Sequence, residues 1–183
     1  MIERVESYLN AAQIAGRTAE LGQELDALPS TKQPMILVCV LKGSIHFFSD
    51  LARQMQRDVN LVFLAVSSYA GGLESSGAVR LTHDLTMDIA GRDVLVVEDI
   101  VDTGLTMSYL MNLLQARHPA SLRVCTLLHK PARKKIEVPL DYVGFTIPDV
   151  FVVGYGLDYE ERYRNLPFIG VMHFDHAASP ESH

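Results

Sequence analysis

Residues 94–106 read V-L-V-V-E-D-I-V-D-T-G-L-T, and this stretch decides the fold class. Its first four residues form an apolar run without polar alternation, which is typical of a central strand covered on both faces in a parallel α/β sheet. Two acids, Glu98 and Asp99, follow directly. Because ligands of such sheets bind outside the carboxyl ends of the strands, the sequence predicts a binding site here.

The residues after Asp102 predict a phosphate-binding turn. Thr103, Gly104, Leu105 and Thr106 lead into an apolar stretch with helical spacing. Backbone N–H groups of a turn and of a helix start would converge there, and that geometry cradles a phosphate. The ordinary alternative is a strand-to-helix connection in which Asp102 and Thr103 only cap the helix.

Glu98 and Asp99 favour a binding site over a simple cap. Adjacent side chains of a strand are expected to point to opposite sides. Two acids placed in this way are poor caps, but they can hold the hydroxyls of a ribose and the hydrated Mg²⁺ that accompanies a pyrophosphate. The chain contains neither a G-x-G-x-x-G pattern after a strand nor the P-loop pattern G-x-x-x-x-G-K-[ST], so the nucleotide hypothesis rests on these acids.

Composition and charge narrow the class of protein. The chain has 183 residues and a formal net charge of −6, which argues against nucleic acid or an anionic membrane surface as the main partner. Cys39 and Cys125 lie in apolar runs and are expected to be buried free thiols. The sequence shows no zinc-ligand spacing among its histidines, no apolar run of membrane-spanning length and no secretory pattern. We therefore expect a cytoplasmic protein.

The rest of the chain alternates between predicted strands and helices. A capping box at residues 10–13 starts a helix that ends near Pro29. Apolar patterns predict a helix over residues 45–55, strands at 35–41, 61–66, 122–128 and 142–147, and a short apolar piece at 151–153. This alternation indicates a doubly wound, mostly parallel sheet flanked by helices. The polar segment 67–78, rich in glycine and serine, is expected to be a lid loop.

Residues 94–106 resemble the phosphoribosyl-pyrophosphate (PRPP) signature of type I phosphoribosyltransferases, and the form V-E-D-I-V-D-T-G is similar to the hypoxanthine-guanine branch of that family. The resemblance extends from about residue 19 to residue 172. It implies the type I phosphoribosyltransferase fold, an α/β domain over residues 1–183. A small hood subdomain would be built from the N-terminal segment and from about residues 148–175. The tail, about residues 177–183, is expected to be disordered, and the chain after Met172 to lie beyond the site.

The resemblance assigns binding of PRPP and its pyrophosphate group to two further loops. L-K-G-S at residues 41–44 implies a loop that binds pyrophosphate through backbone amides, with a cis peptide between Leu41 and Lys42. A glycine turn with a solvated lysine is the ordinary alternative. Ser68 and Tyr69 imply a flexible loop that closes over PRPP and excludes water, whereas an exposed loop tyrosine is the alternative for Tyr69.

The resemblance assigns recognition of the purine to two later segments. Lys130 would donate to the exocyclic oxygen at purine position 6, whereas a lysine that ends an apolar run ordinarily extends into solvent. Phe151 would stack on the base and Val152 would offer a backbone hydrogen-bonding edge, although both also fit a plain hydrophobic strand. Asp158 would bind a second Mg²⁺ and Arg164 would contact pyrophosphate, with a charged loop as the alternative.

These assignments predict Mg²⁺-dependent transfer of the 5-phosphoribosyl group from PRPP to hypoxanthine or guanine, which gives IMP or GMP and pyrophosphate in purine salvage. Asp102 is the predicted general base, which accepts the purine N7 proton as N9 attacks, and Lys130 and Arg164 are further catalytic residues. The predicted Mg²⁺ ligands are Glu98, Asp99 and Asp158. The predicted substrate-binding residues are Leu41, Lys42, Gly43, Ser68, Tyr69, Glu98, Asp99, Ile100, Thr103, Gly104, Leu105, Thr106, Lys130, Phe151, Val152, Asp158 and Arg164.

Three alternatives stay open at this stage. A phosphoribosyltransferase for xanthine, adenine or a pyrimidine would share the PRPP signature, because only Lys130 and the Phe151 segment favour a 6-oxopurine. A PRPP- or nucleotide-sensing regulator that binds nucleic acid would be expected to show a basic face. A non-catalytic interaction domain would have no use for the acidic and basic residues named above. The family usually forms dimers or tetramers, so a homodimer or homotetramer is expected.

Overall fold

The structure is a computed structural model, and it describes residues 2–29, 33–68 and 79–175. Tyr69, most of the predicted lid and the predicted tail at 177–183 lie outside these residues. Within the described ranges the chain forms β1 (Ile2–Leu9), α1 (Ala11–Asp26), β2 (Met35–Leu41), α2 (Ile45–Gln54), β3 (Val59–Ser68), β4 (Val79–His83), β5 (Asp93–Val101), α3 (Leu105–Gln115), β6 (Ser121–His129), a 3₁₀ turn (Pro131–Arg133), β7 (Tyr142–Thr146), β8 (Val152–Val153) and β9 (Ile169–Asp175).

The larger sheet has six strands in the order β4-β3-β2-β5-β6-β7. All neighbouring pairs are parallel except β3 and β4, which are antiparallel. The chain runs outward from β2 to β3 and then returns to pair β5 on the other side of β2. The predicted doubly wound, mostly parallel sheet is confirmed, and its topological switch point lies between β2 and β5.

Strand β5 is buried on both faces, as its unbroken apolar run predicted. Leu95 and Val97 pack with residues of α1 and α2 in one core cluster. Val94 and Val96 point to the opposite face and pack with residues of α3 in a second cluster. Because successive side chains of a strand alternate between faces, a strand covered by helices on both sides needs apolar residues at every position.

Local signals fixed several boundaries correctly. The predicted capping box is present at the start of α1: Asn10 Oδ1 accepts from the Gln13 amide at 2.9 Å, and Gln13 Oε1 accepts from the Asn10 amide at 2.9 Å.

Both cysteines are buried free thiols, as expected. Burial raises the pKa of the Cys39 thiol to about 11 and that of Cys125 to about 12. In the described ranges, no helix is both long and apolar enough to cross a membrane.

A second sheet joins the two ends of the chain. Strand β9 pairs antiparallel with both β1 and β8, in the order β1-β9-β8. The predicted short piece at 151–153 corresponds to β8, but β1 and β9 were not predicted. Four of the six described side chains of β1 are exposed, so its apolar pattern is weak and its pairing with a distant segment decides its structure. Whether this sheet acts as a hood subdomain stays a prediction.

Two glycine substitutions test the packing of this fold. A Cβ at Gly16, in α1, would meet nothing within 4 Å, whereas a Cβ at Gly144 would lie 2.5 Å from the carbonyl oxygen of Leu127. We expect Gly16→Ala to raise the melting temperature by about 2–4 °C, because alanine is favoured over glycine in a helix by about 1 kcal/mol. Gly144→Ala should lower it. Calorimetric melting of both variants checks this, and equal stability of the two would contradict the packing described.

Candidate functional site

A polar cleft of about 270 Å³ opens at the carboxyl ends of β2 and β5, beside the switch point. Four parts of the chain line it: the end of β2 with the loop after it, Val66 of β3, the end of β5 with the turn into α3, and the segment that follows β8. The predicted site residues that line this cleft are Leu41, Lys42, Gly43, Glu98, Asp99, Ile100, Asp102, Gly104, Thr106, Asp158 and Arg164.

The loop after β2 is held by close backbone packing. The Leu41–Lys42 peptide is cis, as expected. A Cβ at Gly43 would lie 1.6 Å from Asp99 Oδ2, and a Cβ at Gly156 would lie 1.9 Å from the Gly43 carbonyl oxygen. The loop backbone is therefore sandwiched between β5 and the segment after β8, at distances that only glycine allows. The ordinary alternative of a glycine turn alone does not account for this packing.

Glu98 and Asp99 share one side of the strand end, which corrects the expectation that they point to opposite sides. Both line the cleft, and their carboxyl groups interact with each other. The reason is local: Glu98 Oε1 accepts from the Asp99 amide at 3.1 Å, so the Glu98 side chain bends along the strand. Burial raises the pKa of Glu98 well above its usual range, and the neighbouring Asp99 charge raises it further. Burial also raises the pKa of Asp99.

The turn from β5 into α3 lines the cleft with Asp102, Gly104 and Thr106. Helix α3 begins after Gly104, which has φ +81° and a position at which a Cβ would lie 2.4 Å from the Ile136 carbonyl oxygen. The first N–H groups of a helix lack partners within the helix, and such a helix start can bind an anion. The ordinary alternative was that Asp102 and Thr103 cap α3. The Asp102 carboxylate accepts from the Thr103 amide, outside the helix, so Asp102 is not a cap, whereas Thr103 Oγ1 accepts from the amide of Leu105, the first residue of α3, at 3.4 Å.

Lys130 is buried rather than solvated. Its side chain is 7% exposed, and Nζ donates to the carbonyl oxygen of Val150 at 2.7 Å. Asp149 lies beside it, with Oδ1 at 3.8 Å from the Lys130 Nζ and at 2.6 Å from the Arg133 Nε. The Lys130 amide donates to the carbonyl oxygen of Val101, at the end of β5. The ordinary alternative of a lysine extending into solvent is wrong.

Phe151 belongs to a cluster of three aromatic rings that includes the last described strand. The Phe151 ring is packed edge-on against Tyr159, with centroids 5.8 Å apart, and against Phe174, with centroids 6.0 Å apart. Tyr159 and Phe174 also contact each other, at 5.3 Å. Phe151 is still 45% exposed, so part of its ring is open to a ligand. Pairing of β9 with β8 places Phe174, a residue after Met172, beside Phe151, so the expectation that this part of the chain lies beyond the site depends on the role of Phe151.

Two basic side chains meet one carboxylate at the rim of the cleft. Lys42 Nζ lies 3.1 Å from Glu161 Oε2, and Arg164 donates to the same oxygen from Nη2 at 3.2 Å. Arg164 also lies 2.9 Å from Asp158 Oδ1 and donates to the Gly156 carbonyl oxygen at 2.8 Å. Hydrogen bonds from Lys42 and Arg164 lower the pKa of Glu161. Sequence reasoning did not predict a role for Glu161, because the contact with Lys42 joins residues far apart in the chain.

Comparison with known proteins identifies the family to which the chain belongs. The model of the phosphoribosyl transferase domain family matches residues 4–160. The chain belongs to the phosphoribosyltransferase family. It is 54% identical over 169 residues to a hypoxanthine-guanine phosphoribosyltransferase of Mycobacterium avium, with 90% of this chain and 83% of the relative covered. It is 45% identical over 171 residues to a hypoxanthine phosphoribosyltransferase of Escherichia coli K12, with 93% and 96% covered.

Solved structures agree with the sequence relatives. A crystal structure of a hypoxanthine phosphoribosyltransferase from Staphylococcus aureus matches with a TM-score of 0.86 and 45% sequence identity, covering 92% of this chain and 91% of that one. A hypoxanthine-guanine phosphoribosyltransferase from Bacillus anthracis matches with a TM-score of 0.85 and 40% identity, covering 91% and 97%. The type I phosphoribosyltransferase fold expected from residues 94–106 is thus confirmed.

The remaining site predictions fall into three groups within this family fold. Thr103 and Leu105 lie in the turn at the start of α3, where the Leu105 amide is 3.4 Å from Thr103 Oγ1. Val152 is buried in β8 and pairs with β9. Ser68 ends β3, and Tyr69 lies outside the described residues. Among the described residues, no three His, Cys, Asp or Glu side chains lie close enough together to hold one metal ion. The acids predicted as Mg²⁺ ligands therefore do not meet at one point.

Burial of the Glu98 and Asp99 carboxyl groups is expected to lower the stability of the fold by an amount that depends on pH. A folded-state pKa raised above the unfolded value means that stability falls as pH rises through the folded pKa. In metal-free buffer at pH 7–8, we expect Glu98→Gln to melt about 2–4 °C above wild type, for a gain on the order of 1 kcal/mol. The difference should vanish below about pH 4, where the glutamate is protonated in both states. Thermal melts across this pH range measure it.

The exposed Glu137 supplies a matched control for this measurement. Its side chain is 80% exposed, and we expect Glu137→Gln to change the melting temperature little at any pH. A Glu98→Gln protein that melts below wild type at pH 8 in metal-free buffer would contradict the account of the acid pair.

Proposed function

We propose that this phosphoribosyltransferase is an enzyme that transfers the 5-phosphoribosyl group from PRPP to hypoxanthine or guanine, giving IMP or GMP and pyrophosphate in purine salvage. The relatives reported above carry that activity in their names. The observation that carries the proposal is the buried Lys130 ammonium. It donates to the carbonyl oxygen of Val150, the residue before the half-exposed Phe151, and the Lys130 amide donates to Val101 at the end of β5.

The chemistry of Lys130 supports a 6-oxopurine as the base. A lysine ammonium has three hydrogen-bond donors and no acceptor, so it complements the oxygen at position 6 of hypoxanthine or guanine. Adenine carries an amino group at the same position, which is a hydrogen-bond donor and cannot accept from the lysine. Phe151 offers an aromatic face on which a purine stacks. We propose that Val152 meets the purine with backbone atoms.

The turn from Thr103 to Thr106 supports binding of the 5′-phosphate. Gly104 and Thr106, at the start of α3, line the cleft, and the partial positive charge of a helix start favours an anion. Glu98 and Asp99 would hold the ribose hydroxyls, since ionised carboxylates are acceptors for hydroxyl donors. Lys42, Arg164 and the amides near Gly43 would bind the pyrophosphate.

The donor set also fits Mg²⁺. This ion prefers oxygen ligands and usually keeps several waters, binding through one or two carboxylates together with substrate phosphates. Asp99 and Asp158 present carboxylates to the same cleft, and a cation near the Glu98 and Asp99 pair would offset the cost of burying two acids. Glu98 and Asp99 would hold one Mg²⁺ and Asp158 a second, each together with PRPP, and the ions would supply positive charge against the leaving pyrophosphate.

The reaction assigns a distinct task to each part of the site. Asp102 accepts the N7 proton of the purine while N9 attacks C1′ of the ribose, and the bond from C1′ to pyrophosphate breaks in line. Lys130 and Phe151 orient the base for this attack. Lys42 and Arg164 stabilise the negative charge that develops on the departing pyrophosphate. The loop that includes Ser68 and Tyr69 is proposed to close over PRPP and exclude water.

The test of this proposal is pyrophosphate release from PRPP and Mg²⁺, measured separately with hypoxanthine, guanine, xanthine, adenine and uracil, with identification of the nucleotide formed. We expect turnover with hypoxanthine and guanine and little with adenine or uracil. Turnover confined to another base would keep the PRPP site and overturn the roles of Lys130 and Phe151. Tight binding of PRPP without turnover on any base would favour a regulator.

Asp102→Asn tests the general base. The substitution keeps the shape of the side chain and removes the proton acceptor, so we expect the rate to fall about 10²–10⁴-fold. Asp88→Asn is the matched control, because Asp88 is exposed and bonds only its own turn. A folded Asp102→Asn protein with near-normal turnover would remove Asp102 from the mechanism.

We also propose a homodimer or homotetramer in the cytoplasm. Ile45 on α2 and Leu61 and Phe63 on β3 are large apolar side chains with 39–49% exposure, and they border one shallow groove. Such an apolar patch is typical of a subunit interface. The buried reduced thiols suit a reducing compartment. No role for nucleic acid or a membrane is proposed.

A further inference from the structure

The carboxylate of Glu161 occupies the place where two cations converge. Its Oε2 atom lies 3.1 Å from Lys42 Nζ and 3.2 Å from Arg164 Nη2. These are the side chains that the proposed function assigns to pyrophosphate. The Glu161 side chain itself is 65% exposed, and its carboxylate is paired with these two cations.

The backbone around Glu161 sets this carboxylate in position. Glu161 has φ +61° and Tyr163 has φ +74°, in the left-handed region that non-glycine residues rarely adopt. The turn is fixed from within, because the Glu161 amide donates to Asp158 Oδ2 at 2.9 Å and the Arg162 amide donates to the Tyr159 carbonyl oxygen at 3.0 Å. Backbone conformations of this kind cluster at binding sites, where the surrounding contacts over-determine them.

We propose that Glu161 is an internal competitor of pyrophosphate: its carboxylate pairs with Lys42 and Arg164 in the ligand-free protein and leaves them when PRPP or pyrophosphate binds. This inference rests on the proposed function for the identity of the ligand. A singly charged, exposed carboxylate is held weakly, whereas a diphosphate offers more negative charge to the same cations. The ligand therefore displaces the carboxylate, and the carboxylate regains the cations when pyrophosphate departs.

The competition has a definite signature among ligands. PRPP and pyrophosphate both present a diphosphate to Lys42 and Arg164, so Glu161 weakens the binding of both by the same factor. IMP has only the 5′-phosphate, which is assigned to the turn at the start of α3, and its affinity should not depend on Glu161. A general structural role for Glu161 would move the affinities of all three ligands together.

The experiment is calorimetric titration of the full-length protein with inorganic pyrophosphate in Mg²⁺ buffer, for wild type, Glu161→Gln and Glu160→Gln. We expect Glu161→Gln to bind pyrophosphate about 3–10-fold more tightly, the effect of removing a pair of exposed ion pairs. Glu160 is the matched control, because it is a neighbouring glutamate whose carboxylate lies 3.6 Å from Arg162 instead. Glu160→Gln should bind pyrophosphate like wild type.

Two further measurements make the test specific. Raising the ionic strength screens exposed charges, so the ratio of the two affinities should approach one in high salt. In a Lys42→Met background the effect of Glu161→Gln should shrink, because one of the two competed cations is absent. In Glu161→Gln the KM for PRPP should fall as the affinity for pyrophosphate rises, while the affinity for IMP stays that of wild type.

Unchanged or weaker pyrophosphate binding by Glu161→Gln would overturn the inference, as would an equal change in IMP affinity. Failure of the proposed function can be distinguished from failure of this inference. If wild type turns over no base but binds pyrophosphate, the function proposed above is wrong, and the comparison of Glu161→Gln with Glu160→Gln still decides the role of Glu161. If wild type does not bind pyrophosphate, the inference is wrong as well.

Discussion

The site depends on one close contact, the packing of the Gly43 backbone between the Asp99 carboxylate and Gly156. Side chains at either glycine would collide at 1.6 Å and 1.9 Å, so the loop after β2, the end of β5 and the segment after β8 can meet only with glycine at these places. The same contact fixes Arg164, which donates to the Gly156 carbonyl oxygen while its own carbonyl accepts from the Gly156 amide. This backbone junction thus brings the acids at the end of β5 into the same cleft as Lys42 and Arg164.

This junction brings together charges whose burial costs stability. The raised pKa of Glu98 shows that the ligand-free protein disfavours two ionised acids at the end of β5. The proposed ligand resolves the conflict, because Mg²⁺ and ribose hydroxyls satisfy the carboxylates while pyrophosphate satisfies Lys42 and Arg164. Glu161 lies against the same two cations. The cost in stability therefore arises from the buried acids, because the exposed ion pairs of Glu161 contribute little.

The sequence predicted the elements whose signals are local. The apolar run at 94–97, the capping box and the turn at Gly104 were correct because burial on both faces, helix caps and turn geometry each impose a pattern within a few residues. Strands β1 and β9, and with them Phe174, were missed because their pairing joins the two ends of the chain. The orientation of Glu98 was missed because a hydrogen bond to the next amide overrides the alternation of a regular strand.

We propose that one site binds a nucleotide and pyrophosphate side by side. A crystal structure of the protein with IMP, pyrophosphate and Mg²⁺ tests this directly. We expect the 5′-phosphate at the start of α3, the purine between Lys130 and Phe151, and pyrophosphate against Lys42 and Arg164. Nucleotide bound elsewhere, such as in the cavity lined by Tyr155 and His46, would contradict it.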